Sequence, residues 1–367
     1  MFDCSLRPLR SLRFRQPNRA TAALIAIAVV AAIAPLPPSF VERVYSTGVY
    51  AAIQPALTTV SNVAPFALLD VLIVLVAAAW LVLLLRDVVR RRRPRAVAVA
   101  ALRRTVVWAA TVYLVFLCTW GFNYRRLRLV ETLQFDAASV TPAAARDAAA
   151  SAVGDLNRLH DPAHASGWPE AGAVDPGLAR SFARAVADVE KRPRVTVGRP
   201  KATLLDWYFR RAGIDGMTDP VFLETLVARD VLPFERPFVT AHEWSHLAGI
   251  ADEGEANFVA WLACVRGSNG DRYSASLLLY GELARSLGAR DRAEIGARLA
   301  AGPRDDLRAI RERIQRHLNP RVAAAGWRVY DSYLKANRVE AGTASYAEVV
   351  RLVLGVRFGE GLRPLRR

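Results

Sequence analysis

Three uncharged or nearly uncharged runs occupy the first third of the chain. Residues 21–36 (TAALIAIAVVAAIAPL) come first, then 63–85 (VAPFALLDVLIVLVAAAWLVLLL), then 105–122 (TVVWAATVYLVFLCTWGF). A helix rises 1.5 Å per residue, so about 20 residues cross the hydrocarbon core of a bilayer. The second run meets that length, with Asp70 near one end. The third carries Trp108, Tyr113 and Trp120 as interface anchors. The first is short, and its Arg-rich leader and Ala32-Ile33-Ala34 also suit a signal peptide, although Pro35 directly after that site argues against cleavage. Three spans are expected. Asp70 reads as a headgroup-level residue or one buried between helices, or, on a weaker signal, as part of a proton relay.

Beyond Asn123 the pattern is that of a soluble domain. Thr141 before Pro142 predicts an N-cap and first helical residue, opening an Ala-rich helix that ends near His160. Asp175-Pro176 predicts a helix to about Lys191. Helical spacing recurs near 271–288, 303–318, 320–337 and 345–355, the last with a capping box from Ser345 and Glu348. Between 194 and 237 the pattern changes: Pro and Gly punctuate Val195-Thr196-Val197 and Val221-Phe222-Leu223, predicting a small sheet or extended loops. The expected fold is mainly α, with a membrane region over 1–122 and a predominantly helical domain with a small β portion over 123–367.

Charge refines this picture. The 367 residues carry a net charge of +16, which by itself suggests nucleic acid or anionic lipid. Residues 1–104, however, hold 14 arginines, no lysine and only four acids (Asp3, Glu42, Asp70, Asp87), and those arginines flank the apolar runs. There positive charge sets topology, and no nucleic-acid-binding motif accompanies it, so no nucleic-acid partner is expected. The N-terminal arm and the Arg86–Arg95 run should stay cytoplasmic. The chain then reads as a multi-pass protein of a bacterial inner membrane with everything after about residue 123 on the outer face. Cys4, Cys118 and Cys264 give no disulfide framework.

The chemistry concentrates at His242-Glu243-Trp244-Ser245-His246. Histidines four apart on a helix differ by roughly 40° around its axis, so both rings leave one face and one Zn2+ can bridge them. Glu243 reaches the same mouth without ligating, where it can take a proton from water and return it to a leaving amine. No other charge interrupts Val239–Ala248, as a buried helix requires. A pair of core histidines, or a metal site without catalysis, is the plainer alternative.

A third ligand is needed. Gly249, three residues on, can break the helix and return the chain toward the metal. Asp252, Glu253 and Glu255 open the next helix. Glu253 is the choice, with Asn257 one turn below it to steady a ligating histidine; Glu255 is the rival and Asp252 third. The acids also suit a helix N-terminus without any metal. Tyr330 and Tyr333, three apart on a C-terminal helix, are candidates for the oxyanion donor of a hydrolase, although an aromatic packing stripe explains them too. Lys335 and Asn337 are candidates for a substrate carboxylate, and Tyr273 for the cleft wall. His160, His164 and His317 read as surface residues.

The motif stretch resembles the zincin metallopeptidases of a short-spaced, glutamate-ligand kind. The whole chain is similar to an uncharacterised bacterial membrane family, domain of unknown function 3810, through Pro65-Phe66 with Asp70, Trp120–Arg125, Pro237–His246, Gly249, Glu253–Phe258 and Tyr330–Asn337. Gly216–Glu224 follows that pattern only loosely. The resemblance implies a zincin-like extracytoplasmic domain and a membrane-anchored zinc-dependent hydrolase acting on a peptide or protein substrate. A non-catalytic sensor or assembly factor with a structural metal site is the alternative.

Overall fold

An apolar stretch in a bilayer must satisfy its own backbone groups, and a helix does so. The computed structural model describes residues 19–91, 93–190, 195–336 and 348–367. Its first helices are α1 (Arg19–Ile33), α2 (Pro38–Val63), α3 (Leu68–Arg91) and α4 (Pro94–Thr119). Both α3 and α4 are long and apolar enough to cross a membrane. At 15 residues α1 falls short alone and makes a third crossing only if joined with α2. Two or three candidate spans thus stand where three were expected.

Their boundaries shift for a physical reason. The third apolar run was bounded by Arg103 and Arg104, but a helix does not stop at a charge. Pro94, whose missing N–H costs nothing at a first helical position, opens α4 eleven residues before the apolar run begins. Arg104 then pairs with Asp87 of α3. Pro65 lies ahead of the first turn of α3, which starts at Leu68 rather than at residue 63.

Two compact units divide the chain: Met1–Pro35 with Leu81–Val115, and Leu36–Trp80 with Phe116–Arg367. The second contains helices α5 (Pro142–Ser166), α6 (Pro176–Glu190), α7 (Asp206–Ala212), α8 (Arg236–Leu247), α9 (Glu253–Val265), α10 (Asn269–Ser286), α11 (Ala289–Gly296), α12 (Ala301–His317), α13 (Pro320–Ala336) and α14 (Glu348–Gly355). Thr141 caps α5 as expected, its hydroxyl accepting from the Ala144 amide at 3.1 Å. That helix runs through Pro162 to Ser166, six residues past the expected end, and closes on Gly167 at φ 71°. Asp175 caps α6. Ser345, expected to cap α14, lies outside the described residues.

The expected small β portion is a three-stranded sheet of β1 (Pro200–Lys201), β2 (Gly216–Asp219) and β3 (Glu224–Val227), ordered β1-β3-β2. Strand β2 is an edge, antiparallel to β3, with Thr218 opposite Thr225. Two stretches expected to be extended differ. Val221-Phe222-Leu223 forms the turn between β2 and β3, because the Asp219 carboxylate accepts from the amides of Val221 (2.9 Å) and Phe222 (2.8 Å). An Asp bonding its own backbone two residues on makes a turn, not a strand. Val195-Thr196-Val197 pairs with side chains instead of a strand: Gln54 of α2 bonds both backbone groups of Thr196 and Asn62 donates to the Val197 carbonyl.

Helix α2 therefore belongs with the domain that carries the sheet. Its stretch Val41–Val49 is wound as a π-helix. Polar residues Gln54, Thr58 and Ser61 on it are buried. Lys201 donates to the Ser61 carbonyl at 2.5 Å and to Glu224 at 2.6 Å, and Glu224 in turn accepts the amides of Leu68 and Leu69 at the start of α3. Asp70 accepts from the Thr203 hydroxyl at 2.6 Å and the Leu204 amide at 2.9 Å, so it secures the first turn of α3 to the chain before α7. One apolar core cluster lies between α5, α10, α11 and the start of α12, around Leu156, Leu159, Tyr273, Leu283 and Ile295, and another gathers Phe209, Leu226 and Val231.

Candidate metal centre

Helix α8 is buried along nearly its whole length, and Trp244 is fully enclosed with its indole N–H on the Gly198 carbonyl at 2.7 Å. The only charged groups it carries inward are those of the motif. After Leu247 the chain turns at Gly249, whose φ of 84° is left-handed, and the amide of Ile250 returns to the Ser245 carbonyl at 3.1 Å. A Cβ at Gly249 would come within 3.0 Å of Asn123 Oδ1 and 3.1 Å of Tyr50, so both conformation and space require glycine. Asp252 then caps α9 by accepting from the amides of Gly254 and Glu255.

That turn brings three of the expected residues together. His242 Nε2 lies 3.2 Å from His246 Nε2 and 3.2 Å from Glu253 Oε2, and His246 Nε2 lies 3.5 Å from the same oxygen. Glu255 points elsewhere: it accepts from the Leu129 amide at 2.7 Å beside Arg128. Asp252 is occupied as a cap. Of the three acids after Gly249, Glu253 alone joins the histidines. Asn257 is buried but forms no side-chain hydrogen bond among the described residues, so its expected steadying role is not seen.

The donor set fits a tetrahedral cation. Ligand atoms about 2.1 Å from such an ion stand about 3.4 Å apart, close to the three separations here. His246 Nδ1 lies 2.7 Å from the Ile250 carbonyl, a bond that fixes the proton on Nδ1 and turns the Nε2 lone pair inward. His242 Nδ1 is buried without a hydrogen-bond partner among the described residues. Burial disfavours charge on His246, yet the neighbouring Glu253 carboxylate overrides this and raises its pKa to about 9. Burial likewise opposes charge on Glu253, but the two imidazoles hold its carboxyl well below the usual range. A cluster that favours a proton this strongly favours a positive ion in the same place.

Glu243 is buried beside the cluster, and burial raises its carboxyl pKa against the pull of both histidines. Thr218 of edge strand β2 stands with its hydroxyl 2.9 Å from Glu243 Oε2 and 2.8 Å from the Glu243 carbonyl. Gly216, two residues earlier, leaves the space the carboxylate fills: a Cβ there would lie 2.6 Å from Glu243 Oε1. Neither residue was singled out as a site residue; the signal available was a glycine two before a threonine in a short β-like stretch.

Tyr330 and Tyr333 lie on α13, and their side chains are outside the described residues, as is Asn337. Lys335 pairs with Asp331 at 2.7 Å. Tyr273 does not line the cleft; it is fully buried, and its hydroxyl donates to Asp306 at 2.6 Å. His317 and His164 are exposed as expected and His160 is half-buried; His160 and His164 converge on Asp306. A cavity of about 270 Å³ touches α8 at Pro237, Thr240 and Trp244, and none of the three clustered residues lines it.

The C-terminal end of α8 is satisfied by side chains distant in sequence. Its last carbonyls lack the partner one turn on that a continuing helix would give, although the Gly249 amide reaches the His246 carbonyl at 2.8 Å. Trp120 donates to His246 O at 2.9 Å, Tyr50 to Leu247 O at 2.8 Å and Arg126 to Gly249 O at 3.1 Å. Arg126 is itself held by Glu42 (2.8 Å) and Glu190 (2.5 Å).

A family model described as a protein of unknown function (DUF3810) matches residues 45–354. The chain belongs to this family. The match takes in most of α2, the sheet, the motif helix and the Glu253 helix. No curated protein matches the chain. No solved structure matches it either.

Proposed function

We propose that this member of the DUF3810 family is a membrane-anchored zinc-dependent hydrolase of the zincin kind that cleaves an amide bond in a peptide or protein. The observation that carries the reading is the triangle of His242 Nε2, His246 Nε2 and Glu253 Oε2, with sides of 3.2–3.5 Å, beside the buried carboxylate of Glu243. Three protein ligands leave a fourth position open, which distinguishes catalytic zinc sites from closed structural ones. When bound there, zinc supplies Lewis-acid polarisation and brings a water pKa near 7.

The chain's own groups do the rest. Glu243, held by Thr218, accepts a proton from the attacking water and passes it to the leaving nitrogen. Burial, which raises its carboxyl pKa, makes it a better proton acceptor than an exposed carboxylate. His246 is kept in one tautomer by the Ile250 carbonyl. Tyr330 or Tyr333 is the proposed second donor to the oxyanion, so Phe at the operative position should lower kcat with little change in KM. The proposed setting is a bacterial inner membrane with the domain on the outer face, supported by two helices of spanning character and the Arg-rich segments flanking them.

Full-length protein purified in detergent and dialysed free of exchangeable metal should retain one zinc per chain, lost in His242→Ala/His246→Ala. Glu243→Gln should keep the zinc and lose cleavage of a mixed peptide library. Full cleavage by Glu243→Gln would remove Glu243 from the chemistry; zinc without cleavage by the wild type would leave a structural metal site.

A further inference from the structure

A second cluster lies in the described part of the chain, away from the motif. His160 and His164 are four apart on α5, so their rings leave one face, with centroids 4.4 Å apart. Both face Asp306 of α12: His164 Nε2 lies 2.8 Å and His160 Nε2 3.7 Å from Asp306 Oδ2. One donor atom from each of the three falls within 4.8 Å of the others. We propose that His160, His164 and Asp306 form a second site, for an exchangeable divalent transition-metal ion that staples α5 to α12.

The hydrogen-bond inventory leaves this cluster unfinished as a purely structural one. Asp306 Oδ2 has two lone-pair directions. The Tyr273 hydroxyl takes one at 2.6 Å and His164 the other. His160 at 3.7 Å is too far to compete for either. Its Nδ1 lies 2.6 Å from Asp161 Oδ1, an arrangement that places the proton on Nδ1 and leaves Nε2 offering a lone pair to the cluster. Two imidazoles and a carboxylate make a borderline donor set that selects zinc, cobalt, nickel or copper over magnesium and calcium.

The surroundings are built to hold this geometry. Gly302 on α12 admits the His160 ring, since a Cβ there would fall 2.3 Å from Cε1 and 2.5 Å from Nε2. Asn157, one turn before His160, fixes the start of α12 reciprocally: it donates to the Arg298 carbonyl at 2.9 Å and accepts from the Ala300 amide at 2.8 Å. Tyr273 orients the buried carboxylate from below. Trp168 and Phe234 wall the His164 ring. His164 is the exposed member, giving an ion access from solvent. The donor separations are less even than in the first cluster, so binding should be weaker and the ion exchangeable.

The test uses Co2+ and full-length protein in detergent, read by visible absorption with circular dichroism as a fold control. The His242→Ala/His246→Ala protein should still bind one cobalt per chain. Adding Asp306→Asn, which keeps an acceptor for Tyr273, should weaken that binding by at least about tenfold, and His160→Gln added instead should do the same. Wild type should bind two cobalt ions with separable affinities. The site is ruled out if His242→Ala/His246→Ala protein binds no cobalt, or if neither added change weakens its binding. One cobalt in the double variant with none gained by His242 and His246 would instead sink the first site alone.

Discussion

The indole N–H of Trp120 donates to the carbonyl of His246, so a residue directly after α4 completes the end of the motif helix. Tyr50 and Arg126 do the same for Leu247 and Gly249. A buried carbonyl that loses its donor costs about 1–3 kcal/mol. Tyr50→Phe should destabilise the protein by about that amount in denaturant titrations, and Trp120→Phe by less, since the His246 carbonyl keeps the Gly249 amide at 2.8 Å. A chain starting at residue 123 lacks both donors and should fail to give a cooperative unfolding transition.

Gly216→Ala should separate the carboxylate from the ligand triangle. The new methyl would sit 2.6 Å from Glu243 Oε1 and 3.0 Å from the Leu226 carbonyl, and the side chain is the part able to move. Zinc content should remain that of wild type, while kcat for a peptide substrate falls about 100-fold, the typical worth of a positioned general base. Unchanged turnover would show that Glu243 tolerates displacement.

Much of this site was legible in the sequence. The His242–His246 spacing and the helix break at Gly249 follow from helix geometry and backbone sterics, which act over a few residues. The choice of Glu253 over Glu255 rested on Asn257 one turn below it, a role not seen among the described residues, although Glu253 does lie with the histidines. What stayed hidden depends on contacts distant in the chain. Gln54, Thr58 and Asn62 gave no signal because their partners lie more than 130 residues away, at Thr196, Val197 and Leu223. His160 and His164 were read as surface residues from their polar surroundings, and His164 is exposed; that they meet at Asp306 gave no signal, because Asp306 sits 142 positions beyond His164.

Metal removal should loosen the domain. A cation held by α8 and α9 binds only the folded chain, and such binding adds about 2.7 kcal/mol when free ligand is a hundredfold above Kd. A chelator should therefore lower the thermal midpoint, and added zinc should restore it. In Glu253→Gln the chelator-induced shift should shrink, since one ligand of the triangle is gone.

Glu235 gives a stability signal with a defined sign. Burial raises its carboxyl pKa to about 7, against the pull of Arg313, whose guanidinium lies 2.8 Å away. The folded chain then holds a proton that the unfolded chain releases above about 4.3, so this group makes stability fall as pH rises toward 7. Glu235→Gln removes that slope. Relative to the variant, wild type should gain stability as pH is lowered from 7 to 5; an opposite trend in paired denaturant titrations would contradict the assignment.

Glu224 sits between Lys201 and the first two amides of α3, so a helix long and apolar enough to span a membrane starts on a carboxylate of the sheet's middle strand. Nothing slack separates the sheet from that helix. A site on a floppy tether sweeps a volume and meets targets at an effective concentration set by linker length. On the proposed function, a site mounted this way has no such sweep at its root, because the start of α3 is held directly by the sheet.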